Sequence, residues 1–316
     1  RVASMFRVPI QQFPRHVRCA SGITSTERLK SLRKLMSEGR VLRGIEVHSG
    51  LSALIAEHTT AKRPNGSTVG FDFLWSSSLT GSTVRGKPDI ECVDTSQRVA
   101  MVEEAFEVTT KPMVYDGDTG GLPEIFSHTV RTLERVGVSA VIIEDKQGLK
   151  QNSLFGTDRQ QSLADIEEFS RKIAAGKAAQ VTEEFMIVAR LEALIAGAGQ
   201  AEAIRRAQAY IDAGVDGIMI HSKEKNPDEV FQFMEAYNGF ANRRPLVVVP
   251  TTYNGVSEEE LANRGAALVI HANQLIRAAY PAMQHVAKTI LANGRSKEVD
   301  GEIMPVKDIL TLIDKA

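Results

Sequence analysis

The residues with the most chemistry in this chain are acids. Asp116 and Asp118 stand two apart in "KPMVYDGD", and Glu144 closes the apolar run "AVIIE". If both segments are strands, alternation points the two aspartates the same way and brings Glu144 beside them on the next strand. Three carboxylates in a partly dry site repel one another, so either a cation holds them or some carry protons. An all-oxygen set favours a hard ion such as Mg²⁺, which keeps several waters and takes few protein ligands. Arg190 lies inside the apolar "MIVARLEA". A buried guanidinium pairs with a carboxylate or a phosphate, so Arg190 either serves an anion or bridges to Glu192 or Glu144. His221 after "GIMI" fits an anion site or a hydrogen-bonded core equally. Glu144 also opens "EDKQGLKQNS", a polar, glycine-containing stretch suited to a lid that keeps water from a reactive centre.

Positioning such groups takes a scaffold, and the chain supplies one by alternation. Short β-branched runs occur at 41–49, 70–78, 111–118, 140–146, 186–193, 217–223, 245–251 and 266–273. The intervening segments show helical periodicity, as in "LADIEEFSRKIAAG" and "AEAIRRAQAYIDAG", each closed by a glycine. Eight strand and helix pairs predict an α/β fold, a (β/α)8 TIM-type barrel, whose active site lies at the carboxyl ends of the strands. Those ends carry His48 and Ser49, Ser76 to Ser78, Asp116 and Asp118, Glu144 to Lys146, Arg190 and Glu192, His221, Thr251, His271 and Asn273. The polar "EHTTAKRPNGSTV" reads as a surface insertion, and two further helical segments follow the eighth strand, with Pro281 placed to kink the first. The expected organisation is an N-terminal arm and first helix over 1–40 and a single catalytic domain over 41–316.

Bulk composition narrows the function. Lys+Arg 38 against Asp+Glu 39 gives a net charge of -1, with no global field for nucleic acid or an anionic membrane, so anion chemistry has to be local. Cys19 and Cys92 form no metal or disulfide pattern, which fits a reducing, cytoplasmic location. No apolar run is long enough to span a bilayer. Arg1, Arg7, Arg15 and Arg18, with no acid among the first 26 residues, faintly suggest a transit peptide, but without amphipathic pattern they read as an ordinary arm that packs on another subunit.

The lid stretch is specific. "EDKQGLKQNS" resembles the Glu-Asp-Lys, five-residue gap, Asn-Ser signature of phosphoenolpyruvate mutases, within the isocitrate lyase and phosphoenolpyruvate mutase superfamily. "HSGLSA", "DGDTGG", "IVARLEA" and "HSK" are similar to further motifs of that family, over roughly residues 40–290. The resemblance implies Mg²⁺ as cofactor, with Asp116 as direct ligand and Asp118 and Glu144 acting through bound waters. It places phosphoryl contacts on Lys150, Asn152, Ser153, Arg190 and His221. "WSSSLTGSTVRGKPD" resembles a stretch that ends in an essential aspartate, here Asp89. Ser77 and the backbone around Ser78 and Leu79 then hold a substrate carboxylate, beside Trp75, although a lone tryptophan ending an apolar strand is more readily core. Two family glycines are serines here, Ser76 and Ser78, so substrate choice could differ.

The implied reaction interconverts phosphoenolpyruvate and phosphonopyruvate, by an isomerase whose unfavoured product another enzyme draws onward to phosphonates. Phosphonopyruvate hydrolase is the alternative; it typically has threonine where Asn152 stands. A carbon-carbon lyase of the isocitrate type carries Lys-Lys-Cys-Gly-His on the lid, which this chain lacks, and a non-catalytic anion-binding barrel would have eroded ligands. The resemblance also implies a homotetramer, a dimer of dimers that exchange C-terminal helices.

Overall fold

The computed structural model describes residues 22–148, 150–158 and 162–313. Residues 1–21, most of the basic arm, lie outside the described residues. The strands are β1 (Leu42–Glu46), β2 (Thr60–Lys62), β3 (Thr68–Gly70), β4 (Phe73–Ser76), β5 (Met113–Asp116), β6 (Ala140–Glu144), β7 (Met186–Leu191), β8 (Gly217–Ile220), β9 (Leu246–Val248) and β10 (Ala266–His271). β1 and β4 to β10 pair in parallel and close into a barrel, with β10 and β4 flanking β1. All eight expected barrel strands are present, each shorter than its apolar run. The excess residues turn into helix caps: Ser49 caps α2 (Gly50–His58) and Ser77 caps α3 (Ser78–Val84), each accepting a backbone N–H with its hydroxyl.

Strands buried on both faces need apolar residues throughout, which explains the unbroken β-branched runs. Inward side chains of Leu42, Phe73, Val114, Ile142, Val188 and Leu268 fill the barrel. A larger outer core joins the strands to the surrounding helices. Helix α1 (Ser25–Met36), started by a reciprocal Thr24–Glu27 capping box, adds Leu32 to the inner cluster. Gly44 on β1 leaves room for the Phe73 ring, since a Cβ there would lie 2.2 Å from it.

The remaining helices are α4 (Thr95–Glu107), α5 (Pro123–Val136), α6 (Ile166–Ala179), α7 (Gly199–Asp212), α8 (Asp228–Asn238), α9 (Glu258–Asn263), α10 (Gln274–Asn293) and α11 (Val306–Leu310). After α5 and α7 the chain turns through Gly137 (φ 96°) and Gly214 (φ 99°), the left-handed geometry the two Gly-Val joints foretell. The expectation for α6 is corrected. Gly176 does not close it; the helix runs on to Ala179, and Gly176 sits against Phe126, whose ring a Cβ would meet at 2.4 Å. Pro281 lies within an unbroken α10.

The polar insertion folds as a hairpin of β2 and β3. Arg63 in its turn ion-pairs with Glu258 on α9, which also meets Arg43 of β1 and His271 of β10. Burial pushes the Glu258 carboxyl up, but His271, Arg43 and Arg63 outweigh it and hold it down at about 2.

Two tests follow from the packing. Gly44→Ala overpacks the barrel against Phe73 and should cost about 1–3 kcal/mol, seen as a lower Tm that Phe73→Leu in the same chain partly restores. Because the folded Glu258 lies below its unfolded value of about 4.3, its contribution is complete above that pH and lost as pH falls toward about 2. Glu258→Gln should therefore lower stability at neutral pH and flatten its fall through that acid window, as read by denaturant titration at several pH values.

Candidate active site at the carboxyl end of the barrel

Asp116 is the last residue of β5 and is buried. Its Oδ2 accepts the Ser78 N–H (3.0 Å) and hydroxyl (2.7 Å) at the start of α3. Gly117 follows, where a Cβ would lie 2.7 Å from Val141 and 2.9 Å from Ile143; its N–H donates to the Ile142 carbonyl at 2.7 Å. Only a bare backbone can press this closely on β6. The chain then turns through Asp118 at φ 53°, a left-handed conformation. The alternation argument for the two aspartates is thus corrected: β5 has ended, and a turn rather than strand period returns Asp118 to the site. Its amide faces Asp116 Oδ1 at 3.3 Å, and its carboxylate ion-pairs with Arg98 of α4 (2.8 Å) and with Lys150. Glu91, at φ 60°, braces this turn by accepting the Thr119 amide (2.8 Å) and hydroxyl (2.7 Å).

A second cluster surrounds Arg190. It ion-pairs with Glu144 at 3.2 Å and with Glu192, so both sequence alternatives for its carboxylate partner are realised together. Arg190 also donates to the Ser153 hydroxyl (2.6 Å), which donates in turn to Glu192 (2.6 Å) and accepts from Lys146 (2.9 Å). His221 Nδ1 lies 3.0 Å from Glu192 and 2.9 Å from Arg190 and can serve one of them at a time. Burial and then Arg190 hold His221 below the ordinary histidine range, so it is neutral at physiological pH.

The described residues of the segment between β6 and α6 reach these groups. Its Lys150 meets Ser78, Asp118 and Asp89 (3.0 Å), while Asn152 donates to Asp89 at 2.7 Å. The three charges that follow "AVII" have separate destinations. Glu144 faces the site, and Lys146 bridges Glu144 (3.3 Å) to Glu192 (3.5 Å). Asp145 turns outward to Arg206 (2.9 Å) and Tyr210 (2.9 Å) on α7 and accepts the Glu192 amide (2.8 Å), locking β7 to its helix.

One pocket brings together most of the sequence candidates: Trp75, Ser77, Ser78, Leu79, Asp89, Asp116, Lys150, Asn152, Ser153, Arg190 and His221 line it. Asp118 and Glu144 are buried beside that lining. Three other strand-end residues do structural work instead: Ser49 is a cap, His48 meets Glu46 (2.9 Å) and His271 meets Glu258 (3.2 Å). Arg98 escaped the sequence reading; its one signal is a charged residue on the stripe of α4 that also buries Met101, Val102 and Ala105. Leu154, Met219, Val249 and Ala272 complete the apolar part of the lining.

The chemistry of this donor set fits a hard cation. Burial raises Asp116, but Lys150, Arg98 and Arg190 outweigh it and hold it below the usual carboxylate range, so it is ionised. Both Glu144 oxygens are buried and accept no hydrogen bond, and burial pushes that carboxyl up to about 7 against the pull of Arg190. Held only by ion pairs to Arg190 (3.2 Å) and Lys146 (3.3 Å), these oxygens have room to accept the waters of a hydrated cation. Among the described residues no three His, Cys, Asp or Glu side chains stand close enough to grip one ion together. That geometry suits a few direct ligands with the rest reached through water.

Comparison with known proteins places the chain in a family. The family model described as phosphoenolpyruvate phosphomutase matches residues 32–291. A phosphonopyruvate hydrolase of Variovorax sp. (strain Pal2) is 38% identical over 285 residues, covering 90% of this chain and 93% of its own. The crystal structure of a phosphoenolpyruvate phosphomutase from Streptomyces platensis subsp. rosaceus superposes with a TM-score of 0.82 at 36% identity, covering 89% of this chain and 93% of that one. A phosphonopyruvate hydrolase complexed with oxalate and Mg²⁺ superposes with a TM-score of 0.79 at 35% identity, covering 90% and 94%. With the matched region spanning the whole barrel and its mouth, this chain belongs to the phosphoenolpyruvate phosphomutase family of (β/α)8-barrel enzymes.

Proposed function

We propose that this enzyme is a phosphoenolpyruvate mutase, interconverting phosphoenolpyruvate and phosphonopyruvate. The observation that carries the choice is Asn152 on the lid, at the position where phosphonopyruvate hydrolases typically have threonine, with its amide reaching Asp89 at 2.7 Å. The hydrolase reading stands second, favoured by the 38% identity to the Variovorax enzyme, too near the 36% of the mutase structure to decide between them. A carbon-carbon lyase is disfavoured because no cysteine follows Cys92.

In the forward direction the bond between the enol oxygen and phosphorus breaks and one between phosphorus and C3 forms, with no net gain or loss of atoms. Mg²⁺, held by Asp116 directly and by Asp118 and Glu144 through water, would supply Lewis-acid stabilisation of the pyruvate enolate. At the α3 terminus the Ser77 hydroxyl and the Leu79 backbone N–H would hold the substrate carboxylate, beside the Ser78 N–H that already donates to Asp116, and Trp75 lines the same pocket. Arg190 and neutral His221 line the same pocket and suit a phosphoryl group whose charge spreads as its bonds loosen. Ser153 and Asn152 join them from the lid, and Lys150 closes over Asp89. Asp89 acts as an orienting charge or a transient phosphoryl acceptor. Leu154 and the apolar wall keep water from a group that would otherwise hydrolyse.

The exposed apolar side chains of Tyr280, Met283 and Leu291 on α10, and of Val306 and Leu310 on α11, support a homo-oligomer built through the C-terminal helices, assembled as a dimer of dimers. No described helix is long and apolar enough to cross a membrane. The unfavoured phosphonopyruvate requires a partner reaction that consumes it, which would place the enzyme in cytoplasmic phosphonate synthesis.

Phosphorus NMR on phosphonopyruvate with Mg²⁺ tests the reading: phosphoenolpyruvate as product is expected, and phosphate with pyruvate would make the enzyme a hydrolase. Asn152→Thr should raise the ratio of phosphate to phosphoenolpyruvate by about tenfold, a change of ~1.4 kcal/mol in relative barriers. Asp116→Ala removes the one direct ligand and should cut kcat by about a thousandfold with the circular dichroism spectrum unchanged; a loss of only a few fold would refute the ligand assignment.

A further inference from the structure

Arg98 stands behind the active site, on the inward stripe of α4, and is buried. Its guanidinium spans the ends of β4 and β5. Nη1 donates to Asp118 Oδ2 at 2.8 Å, Nη2 lies 3.4 Å from the Ser76 carbonyl oxygen, and the group stacks 4.2 Å over the Tyr115 ring. The other Asp118 oxygen, Oδ1, meets the lid lysine Lys150. Asp118 is therefore gripped by cations on both oxygens, one from behind the barrel wall and one from the lid.

The two neighbouring acids are held differently. Asp116 receives only neutral donors: Ser78 on Oδ2, and on Oδ1 a long contact of 3.3 Å from the Asp118 amide. The Glu144 oxygens accept no hydrogen bond and meet Arg190 and Lys146 only as longer ion pairs, at 3.2 and 3.3 Å. A carboxylate already bonded to two cations has little charge left for a third, whereas Asp116 is ion-paired with none among the described residues and keeps its own. We propose that Arg98 is a positioning residue: it holds Asp118 off direct contact with the divalent ion and presents it to Lys150, so that the acid serves lid closure while Asp116 is left as the direct ligand. This rests on the proposed reading of the site as a divalent-ion site beneath a closing lid.

A purely structural tie between α4 and the barrel would change stability alone. Removing the guanidinium should instead release Asp118 Oδ2 and leave the site one unit more negative. The test is Mn²⁺ binding to the full chain without substrate, followed by the electron paramagnetic resonance of free Mn²⁺. In Arg98→Gln, Mn²⁺ should bind about tenfold more tightly than in wild type, as expected for one buried charge a few ångströms away. Asp118→Asn added to that variant should abolish the gain. With phosphonopyruvate, kcat should fall by about tenfold while KM stays within about threefold, because the lid lysine loses its fixed partner. Arg98→Lys should recover wild-type Mn²⁺ affinity. Should Arg98→Gln fail to fold, Arg98→Met occupies the same apolar slot and carries the same expectation. Unchanged or weaker Mn²⁺ binding in the folded variant overturns the proposal, as does a wild-type chain that binds no Mn²⁺. A wild type that binds Mn²⁺ but converts neither substrate defeats the mutase and hydrolase readings alone, since the Mn²⁺ comparison does not depend on turnover.

Discussion

Charge neutralisation without water is the constraint on which the mouth of this barrel depends. Five carboxylates, Asp89, Asp116, Asp118, Glu144 and Glu192, stand among four cationic side chains, Arg98, Lys146, Lys150 and Arg190. Isolated, each buried charge would cost several kcal/mol. Interleaved, they hold one another and leave the set short of positive charge, with the Glu144 oxygens ion-paired but accepting no hydrogen bond. The elements around the mouth follow from this demand. Gly117 allows the β5 turn to press on β6, the left-handed Asp118 brings a second acid back, and Ser78 at the start of α3 supplies neutral donors to the first.

The same balance bears on the chemistry. A phosphoryl group moving between oxygen and carbon needs fixed counter-charge more than acid or base catalysis. Arg190 offers it, anchored by Glu144 and Glu192 so that it need not reorganise during reaction. Ser153 has its hydroxyl committed to Arg190, Lys146 and Glu192. In the proposed reading it would act on substrate through the guanidinium it orients as well as by direct contact. Mutase and hydrolase differ in whether water enters that space, and the proposed choice between them therefore rests on one lid side chain, Asn152, and not on a few per cent of overall identity.

Much of this was legible in the sequence. The eight strands showed because a doubly covered strand has to be apolar along its length, as in "AVIIE" and "MIVARL". The lid motif, Arg190 and His221 showed because charge beside such runs is costly without purpose. Long-range pairing was hidden. Nothing local links Arg98 to Asp118, 20 residues away on another element, or Asp145 to Arg206 across 61 residues. Strand alternation predicted the right convergence of Asp116 and Asp118 for the wrong reason, since the turn at Gly117 depends on its contact with Val141 and Ile143, which only the fold creates. Gly176 misled similarly, as a glycine that serves helix packing looks in sequence like one that ends a helix.

The most direct test of the division of labour among these acids is a crystal structure of the enzyme with Mn²⁺ and oxalate, read by anomalous scattering. The account predicts one ion roughly 2.1–2.2 Å from an Asp116 oxygen, a separation close to that of hard octahedral cations, with water between it and Asp118 and with Arg98 still on Asp118. An ion bound directly by Asp118, or none at this end of the barrel, would contradict it.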